Sequence, residues 1–232
     1  MKKKFAFTMA EVIIVISLLG VIAALTIPNL YYSKTKHEYA TRIKRFYSKM
    51  DNAIAQMELE KGSFKDMHRP DDGEDTGNGS EANNRLAYLW YMENIDPYME
   101  HKFIKNPDSN TPKIYFSDGS SLYITRGGCL DLHYDVNGDK GSGKAGREQF
   151  TFLICFSDYD RNYFFGDGNI FFGTYGGKYT VTDDDGNETQ KDIVNSDTSR
   201  EVLIDACKNS VSRCSRLLQR DNWEFKEDYP RF

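Results

Sequence analysis

The chain has 232 residues, a formal net charge of −5 and a hydrophobic content of 39%, which together allow one domain of ordinary size beside a terminal segment. An acidic body gives no electrostatic reason to bind nucleic acid, so a nucleic-acid-binding function is not expected. Aromatic residues make up 14% of the chain and 18 residues are glycine, which favours β-structure with many turns. The four cysteines are an even number, compatible with two disulfides in an exported protein.

The first thirty residues combine a basic head with a long apolar run. Lys2–Lys4 precede the apolar run Val12–Leu30, which nearly supplies the roughly 20 apolar residues that cross a membrane. One interpretation is a secretory signal peptide cut between Ala23 and Ala24, and a second is a plain membrane anchor. Glu11 fits neither, because an acidic group costs about 2.5–3.5 kcal/mol at the centre of a membrane helix and less near its end.

The sequence Phe7-Thr8-Met9-Ala10-Glu11 resembles, in order and spacing, the N-terminal segment of type IV pilins and type II secretion pseudopilins. The resemblance implies cleavage between Ala6 and Phe7 by a prepilin peptidase, followed by N-methylation of Phe7. The usual residue before the cut in that family is glycine, and here it is Ala6. The resemblance further implies that the new Phe7 amine of one subunit pairs with Glu11 of its neighbour in an apolar filament core. An unpaired charge is heavily penalised there.

The resemblance implies a structural subunit of a type IV pilus or a type II secretion pseudopilus, and no enzyme. The implied partners are the prepilin peptidase, other pilin or pseudopilin subunits, an assembly ATPase and an inner-membrane platform protein. The implied location is the bacterial inner membrane, crossed once, with the body outside the cytoplasm and later in a filament. The expected domains are a leader (1–6), a membrane and assembly helix (7–30) and a globular domain (31–232). The alternative is an exported globular binding protein with an ordinary signal peptide or membrane anchor.

One long helix is predicted from about Thr8 to Lys61. Pro28 lies near the end of the apolar run, where it either closes a membrane helix or, as the resemblance implies, marks a place that loosens or bends during assembly. Beyond it, apolar residues recur at steps of mostly three and four and predict an amphipathic second half: Tyr32, Tyr39, Ile43, Phe46, Tyr47, Met50, Ile54 and Met57. Gly62 is a natural stop.

The rest of the chain predicts an α+β body in which a small antiparallel sheet packs on the amphipathic half of the helix, as in pilin-like proteins. An acidic loop is expected over Asp66–Asn84, followed by a short helix over Leu86–Glu93 that is capped by Asn83 or Asn84. Asp118-Gly119 predicts a hairpin between Lys113–Ser117 and Ser121–Thr125. Further strands are expected at Cys129–Val136, Gln149–Phe156, Asn169–Tyr175 and Lys178–Thr182.

A final helix is expected over Ser199–Gln219, with an aromatic tail that packs as an edge strand or clamp. The resemblance implies a local disulfide between Cys207 and Cys214. Residues seven apart on a straight helix are about 10 Å apart, whereas a disulfide needs about 4.4–6.8 Å between α-carbons, so the helix must break near Asn209-Ser210. Cys129 and Cys155 lie on predicted neighbouring strands, which allows a cross-strand disulfide; the alternative pairing stays open.

Asp135, Asn137 and Asp139 place oxygen ligands at alternate positions, as a calcium loop does, and Glu148 could add a fourth. The pattern departs from an EF-hand at Lys140 and at Gly146, so a polar turn is the favoured interpretation. Asp183-Asp184-Asp185 is likewise expected to be an acidic turn. The sequence has no Cys/His spacing typical of zinc and no recognisable nucleophile, phosphate-loop or acid–base motif. Beyond the weak calcium candidates, no cofactor is therefore expected.

Overall fold

The computed structural model describes residues 8–70, 81–182, 186–194 and 198–232. Ala6, Phe7 and Asp183–Asp185 therefore lie outside the described residues, as does the middle of the expected acidic loop. The chain divides into two compact units, Met1–Glu38 and Tyr39–Phe232. The fold is α+β, with a long N-terminal helix and an antiparallel sheet.

Helix α1 runs without interruption over Met9–Lys61, which confirms the predicted long helix and its end at Gly62. Gly62 has a φ of +98°, a left-handed conformation that glycine adopts without steric cost. Pro28 does not end the helix, because the backbone remains helical for 33 residues beyond it. The interpretation of Pro28 as the residue that closes a membrane helix is therefore wrong for this chain.

The second half of α1 buries one face, as its apolar spacing predicts. The buried residues recur at helical steps: Ala40, Ile43, Phe46, Met50, Ala53, Ile54 and Met57. The Phe46 ring stacks on that of Tyr134 with centroids 4.1 Å apart, which joins the helix to the sheet through aromatic contact. Tyr32 does not belong to this face: it lies in the N-terminal unit and is 41% exposed.

Six strands form an antiparallel meander in chain order: β1 (Phe103–Lys105), β2 (Lys113–Tyr115), β3 (Ser121–Arg126), β4 (Leu130–Asp135), β5 (Gln149–Ile154) and β6 (Phe172–Thr174). The hairpin around Asp118-Gly119 is confirmed, since Tyr115 pairs with Ser121. The predicted strand at Lys178–Thr182 exists as β7, but it pairs with β8 (Glu188–Asp192) in a separate two-stranded sheet. It is not part of the meander.

Alternation along β3, β4 and β5 gives the meander two different faces. One face carries apolar side chains that join the core cluster with α1: Leu122, Ile124, Leu130, Leu132, Tyr134, Phe150, Phe152 and Ile154. The opposite face carries Tyr123, Thr125, Asp131, His133, Thr151 and Leu153. On this outer face Leu153 packs with Cys129, Cys155 and Phe165 in a second small cluster.

The helices of the body are α2 (Glu81–Asn94), α3 (Asp96–Met99), α4 (Asp158–Phe165), α5 (Arg200–Asn209) and α6 (Cys214–Arg220). Short 3₁₀ turns lie at Phe64–Asp66, Gly138–Lys140 and Val211–Arg213. The expected cap at Asn83 or Asn84 is wrong, because both residues lie inside α2 and are buried. The Asn84 Oδ1 instead accepts a hydrogen bond from the Arg126 backbone N–H at 2.8 Å, which ties α2 to β3.

The C-terminal tail packs back on the body without forming a strand. Trp223 lies beside Tyr47 with ring centroids 4.8 Å apart, and Phe225 and Tyr229 are buried. Arg200 at the start of α5 bonds the Asp221 carboxylate through Nε at 2.6 Å and through Nη2 at 2.9 Å. The tail is therefore a clamp; the expectation of an edge strand is wrong.

Candidate membrane and assembly segment

The first half of α1 exposes its apolar side chains. From Met9 to Leu30, the large apolar residues are between 42% and 81% exposed. The helix is long and apolar enough to cross a membrane, and none of its most apolar window is buried. Exposed apolar surface of this extent is typical of segments that lie in a membrane or against other chains.

Two hydroxyl side chains inside this apolar stretch are satisfied by their own helix. Ser17 Oγ donates to the carbonyl of Ile13 at 2.8 Å, and Thr26 Oγ1 donates to the carbonyl of Ile22 at 2.9 Å. Polar groups that enter hydrocarbon must find their hydrogen bonds internally. Both hydroxyls therefore suit a helix that has no water around it.

Thr8 and Glu11 form a reciprocal cap at the start of α1. The Glu11 backbone N–H donates to Thr8 Oγ1 at 3.2 Å, while the Glu11 Oε2 accepts from the Thr8 backbone N–H at 2.8 Å. This is a capping box, in which a threonine and the glutamate three residues later satisfy each other's backbone donors. The Thr-x-x-Glu spacing is a local signal of this box in the sequence, but it was not among the features predicted above. Glu11 thus has a local role besides the one that the resemblance implies.

The other predicted residues of this segment are placed only in part. Ala6 and Phe7 lie outside the described residues, and Pro28 is described only by its helical backbone. Proline has no N–H, so Pro28 cannot donate to the carbonyl of Ala24 as the regular helical pattern requires. The backbone ladder of α1 is therefore weakened at one place inside the apolar stretch.

The body contains two disulfides, Cys129–Cys155 and Cys207–Cys214. The α-carbons of Cys207 and Cys214 are 4.5 Å apart, and the chain between them leaves the helix at Ser210. The expected break of the final helix is thereby confirmed. Disulfides form and persist in oxidising compartments, which suits a body outside the cytoplasm.

The residues of the weak calcium candidate are held in separate interactions. The Asp139 carboxylate bonds Lys105 Nζ at 2.6 Å and Lys113 Nζ at 2.7 Å, and these ammonium groups hold the pKa of Asp139 well below its usual range. Asp135 accepts from the Gln149 side chain at 3.0 Å.

The remaining oxygen ligands of that candidate also have partners. The Asn137 side-chain amide donates to Tyr39 Oη at 2.9 Å, and Glu148 Oε2 accepts from Ser142 Oγ at 3.0 Å. Within residues 8–70, 81–182, 186–194 and 198–232, no three His, Cys, Asp or Glu side chains are grouped so that they could hold a metal ion.

Comparison with known proteins gives one match. The sequence model of a protein family, described as a family of unknown function (DUF6613), matches residues 29–231. No curated protein and no solved structure matches the chain. The matched region contains the folded body except for its last residue, Phe232, and leaves out Glu11 and most of the exposed apolar stretch.

Proposed function

The chain belongs to the family of unknown function DUF6613, and we propose that it is a prepilin-type subunit of a membrane-anchored filament. In this proposal a prepilin peptidase cuts between Ala6 and Phe7. Before assembly, the mature chain is anchored in the inner membrane by the apolar stretch, with its body outside the cytoplasm. It then assembles with other subunits into a type IV pilus or a type II secretion pseudopilus.

One observation carries the proposal: the Phe7-to-Glu11 sequence leads into α1, and the first half of that helix is apolar and exposed. An ordinary anchor needs only the apolar stretch. A signal peptide is removed at a small-residue cleavage site. It does not require the helix to continue from the apolar stretch into the folded body. A filament subunit needs both the apolar stretch and its continuation into the body. The same helix must first lie in a membrane and later pack against the helices of other subunits.

The architecture supports the proposal at a coarser level. A long helix that is apolar first and amphipathic later, with an antiparallel sheet on its second half, is what the resemblance to pilins implies. The two disulfides support an exported body.

Two roles for Glu11 make different predictions, and one pair of variants separates them. Glutamine at this position can still complete a capping box with Thr8, whereas alanine cannot. Glutamine carries no charge, so it cannot form an ion pair with the amine of a neighbouring Phe7. If the charge pair directs assembly, Glu11→Gln and Glu11→Ala both reduce filament incorporation by about tenfold or more, because each leaves a buried ammonium unpaired.

The measurement is the amount of chain in sheared filaments relative to the amount in the membrane fraction, with Thr8→Ser as the control that keeps the cap. Normal incorporation of Glu11→Gln together with loss in Glu11→Ala would assign Glu11 to helix capping alone. Normal incorporation of both variants would remove Glu11 from assembly.

N-terminal sequencing of the mature chain tests the whole proposal. The expected result is an N-methylated Phe7 as the first residue. A mature chain that begins at Ala24 would instead indicate an exported globular binding protein made with an ordinary signal peptide, and an intact Met1 would indicate a plain anchor.

A further inference from the structure

A cavity of about 310 Å³ lies on the outer face of the meander, away from the α1 core. The turn Gly127–Cys129 and the β4 residue Asp131 form one side, and α4 together with Tyr175 forms the other. The Cys129–Cys155 disulfide holds the turn to the end of β5. Most of the wall therefore belongs to a cross-linked turn, a strand and a helix, which suits a site formed before any ligand binds.

Two carboxylates approach the same glycine turn. A methyl group placed on Gly127 would lie 3.7 Å from Asp131 Oδ1, and one placed on Gly128 would lie 3.1 Å from Asp160 Oδ1. Because neither glycine has a side chain, the Asp131 and Asp160 carboxylates lie directly against the backbone of the turn and line the cavity together with it. Asp160 also accepts from the hydroxyl of Ser157, its partner in the α4 cap.

Aromatic rings form the rest of the wall. Tyr159 and Tyr163 stack with centroids 6.3 Å apart and planes 14° from parallel, and Phe164 and Tyr175 meet edge to face at 5.2 Å. Tyr159 is 77% exposed, which is unusual for a large aromatic side chain that only packs a core. Ring faces carry partial negative charge and attract ammonium and guanidinium groups.

Asp131 is the carboxylate on the β4 side of the cavity. Among the described residues, no side chain or backbone N–H donates a hydrogen bond to its carboxylate, and no lysine or arginine pairs with it. Burial alone raises the pKa of Asp131 to about 7. A largely buried carboxylate without a donor is costly to keep charged, so a cation that entered the cavity would remove this cost.

Two arginines near the cavity donate hydrogen bonds to backbone carbonyls. Arg69 Nη1 donates to the carbonyl of Gly128 at 3.3 Å. Arg213, whose charge reaches Tyr175, donates to the carbonyl of Lys178 at 2.9 Å and lies over the Tyr179 ring at 5.6 Å. The cavity thus presents carboxylate and ring faces to a ligand, with its basic neighbours bound to backbone.

We propose that this cavity binds an organic cation, an alkylammonium or guanidinium group, between the Asp131 and Asp160 carboxylates and the Tyr163 and Tyr175 rings. The group could belong to a free amine or to a lysine or arginine side chain of another polypeptide. The proposal stands whether or not the chain assembles into filaments, because it depends only on the body.

Calorimetric titration of the full chain tests this site. The chain is kept in maltoside micelles, since a phosphocholine detergent would itself bring a quaternary ammonium. The probe is Nα-acetyl-lysine methylamide, and its Nε-acetylated form is the neutral control. We expect the charged probe to bind about tenfold or more tightly than the neutral one at pH 8. Equal affinity for the two forms would overturn the proposal.

Variants locate the binding. Asp131→Asn should weaken binding about tenfold or more, and Tyr163→Ala should weaken it about threefold to tenfold. Asp108→Asn, an exposed carboxylate in the β1–β2 loop, should leave it unchanged. If Asp131→Asn does not fold, Tyr163→Ala decides alone, because Tyr163 is 37% exposed and its truncation leaves the core intact. Wild-type affinity in a folded Asp131→Asn, or in Tyr163→Ala, contradicts the site.

Two further arms identify the source of the cation and the charge state. A tripeptide with a central lysine that binds more tightly than butylammonium would indicate a polypeptide ligand, and equal affinities would indicate a free amine; both results support the site. Binding should weaken from pH 8 to pH 5.5, as Asp131, whose pKa burial raises to about 7, takes up a proton. Affinity that does not change over this range would exclude Asp131 as the anchoring charge.

Discussion

On strand β4, Asp131 and His133 project from the same outer face, and burial acts on them in opposite directions. The His133 ring stacks on Tyr123 with centroids 4.4 Å apart, and its Nε2 lies 2.9 Å from Thr125 Oγ1. Burial penalises the charged form of each group. It raises the pKa of Asp131 to about 7 and lowers the pKa of His133 to about 4.

The two groups should give opposite slopes of stability against pH. Between about pH 4 and 7, folded Asp131 holds a proton that the unfolded chain releases, so its contribution falls as pH rises. Between about pH 4 and 6.5, His133 is protonated in the unfolded chain but neutral in the folded one. Its contribution to the free energy of unfolding therefore falls as pH falls. In wild type the two slopes oppose each other over most of this range.

Asp131→Asn should therefore make the change in unfolding free energy from pH 5 to pH 8 more positive, by about 3 kcal/mol. His133→Gln should make the same change less positive, by about 2 kcal/mol. The measurement is urea unfolding of the full chain in maltoside micelles at both pH values, followed by near-ultraviolet circular dichroism. Wild-type pH dependence in both variants would show that neither group titrates as its burial implies.

At the scale of elements, the two disulfides hold different kinds of structure. Cys129–Cys155 closes 26 residues and joins the turn before β4 to the end of β5. Cys207–Cys214 closes only seven and holds α5 beside α6 across the break at Ser210. All four cysteines are buried, and replacing both members of a pair by alanine leaves no free thiol.

A longer closed loop should contribute more, because it removes more freedom from the unfolded chain. Replacing Cys129 and Cys155 by alanine should lower the unfolding free energy by about 3.5 kcal/mol, and replacing Cys207 and Cys214 by about 2.5 kcal/mol. Urea unfolding of both double variants beside wild type measures the difference. A larger loss of unfolding free energy for the Cys207 and Cys214 variant would mean that this disulfide also stabilises the folded chain at the break, beyond its effect on the entropy of the unfolded chain.

At the scale of the whole molecule, a single helix carries two kinds of surface. Leu19 is 59% exposed in the apolar stretch and Leu59 is 87% exposed in the amphipathic half. Both are exposed leucines of α1, but only Leu19 has apolar neighbours on every side. If the apolar stretch lies in a membrane, the same substitution should weaken membrane retention at Leu19 and leave it unchanged at Leu59.

Leu19→Arg should lower the fraction of chain that resists alkaline extraction from membranes, because arginine near the centre of a membrane helix costs about 2.5–3.5 kcal/mol on insertion scales. Leu59→Arg is the matched control and should extract like wild type, because its side chain already faces water. Equal extraction of Leu19→Arg and wild type would argue against a membrane position for this stretch.

The elements that the sequence predicted correctly are the ones that local chemistry specifies. The apolar spacing and Gly62 predicted α1 to its last residue, and Asp118-Gly119 predicted the β2–β3 hairpin. The geometry of a disulfide predicted the break near Ser210. The cap of α4 also has a local signal, Ser157 followed three residues later by Asp160, although this helix was not predicted.

The features that could not be predicted from the sequence depend on partners far along the chain. Every residue of β8 is exposed, so no apolar alternation marks it, and it is a strand because β7 pairs with it. Asn84 lies inside α2 rather than at a cap, against its local preference, because its side-chain Oδ1 accepts a hydrogen bond from a backbone N–H of β3. Neither fact can be read from neighbouring residues.

By itself, then, the sequence determined a helix that begins with Thr8 and Glu11, is apolar as far as Leu30 and ends at Gly62, because periodicity and capping act within a few residues. It also carries the resemblance on which the proposed function depends. Only the tertiary structure decided that Asp131, Asp160 and four aromatic rings surround one cavity. These residues come from a strand, a helix and a loop whose approach is set by the packing of the sheet, and long-range packing leaves no local pattern to read.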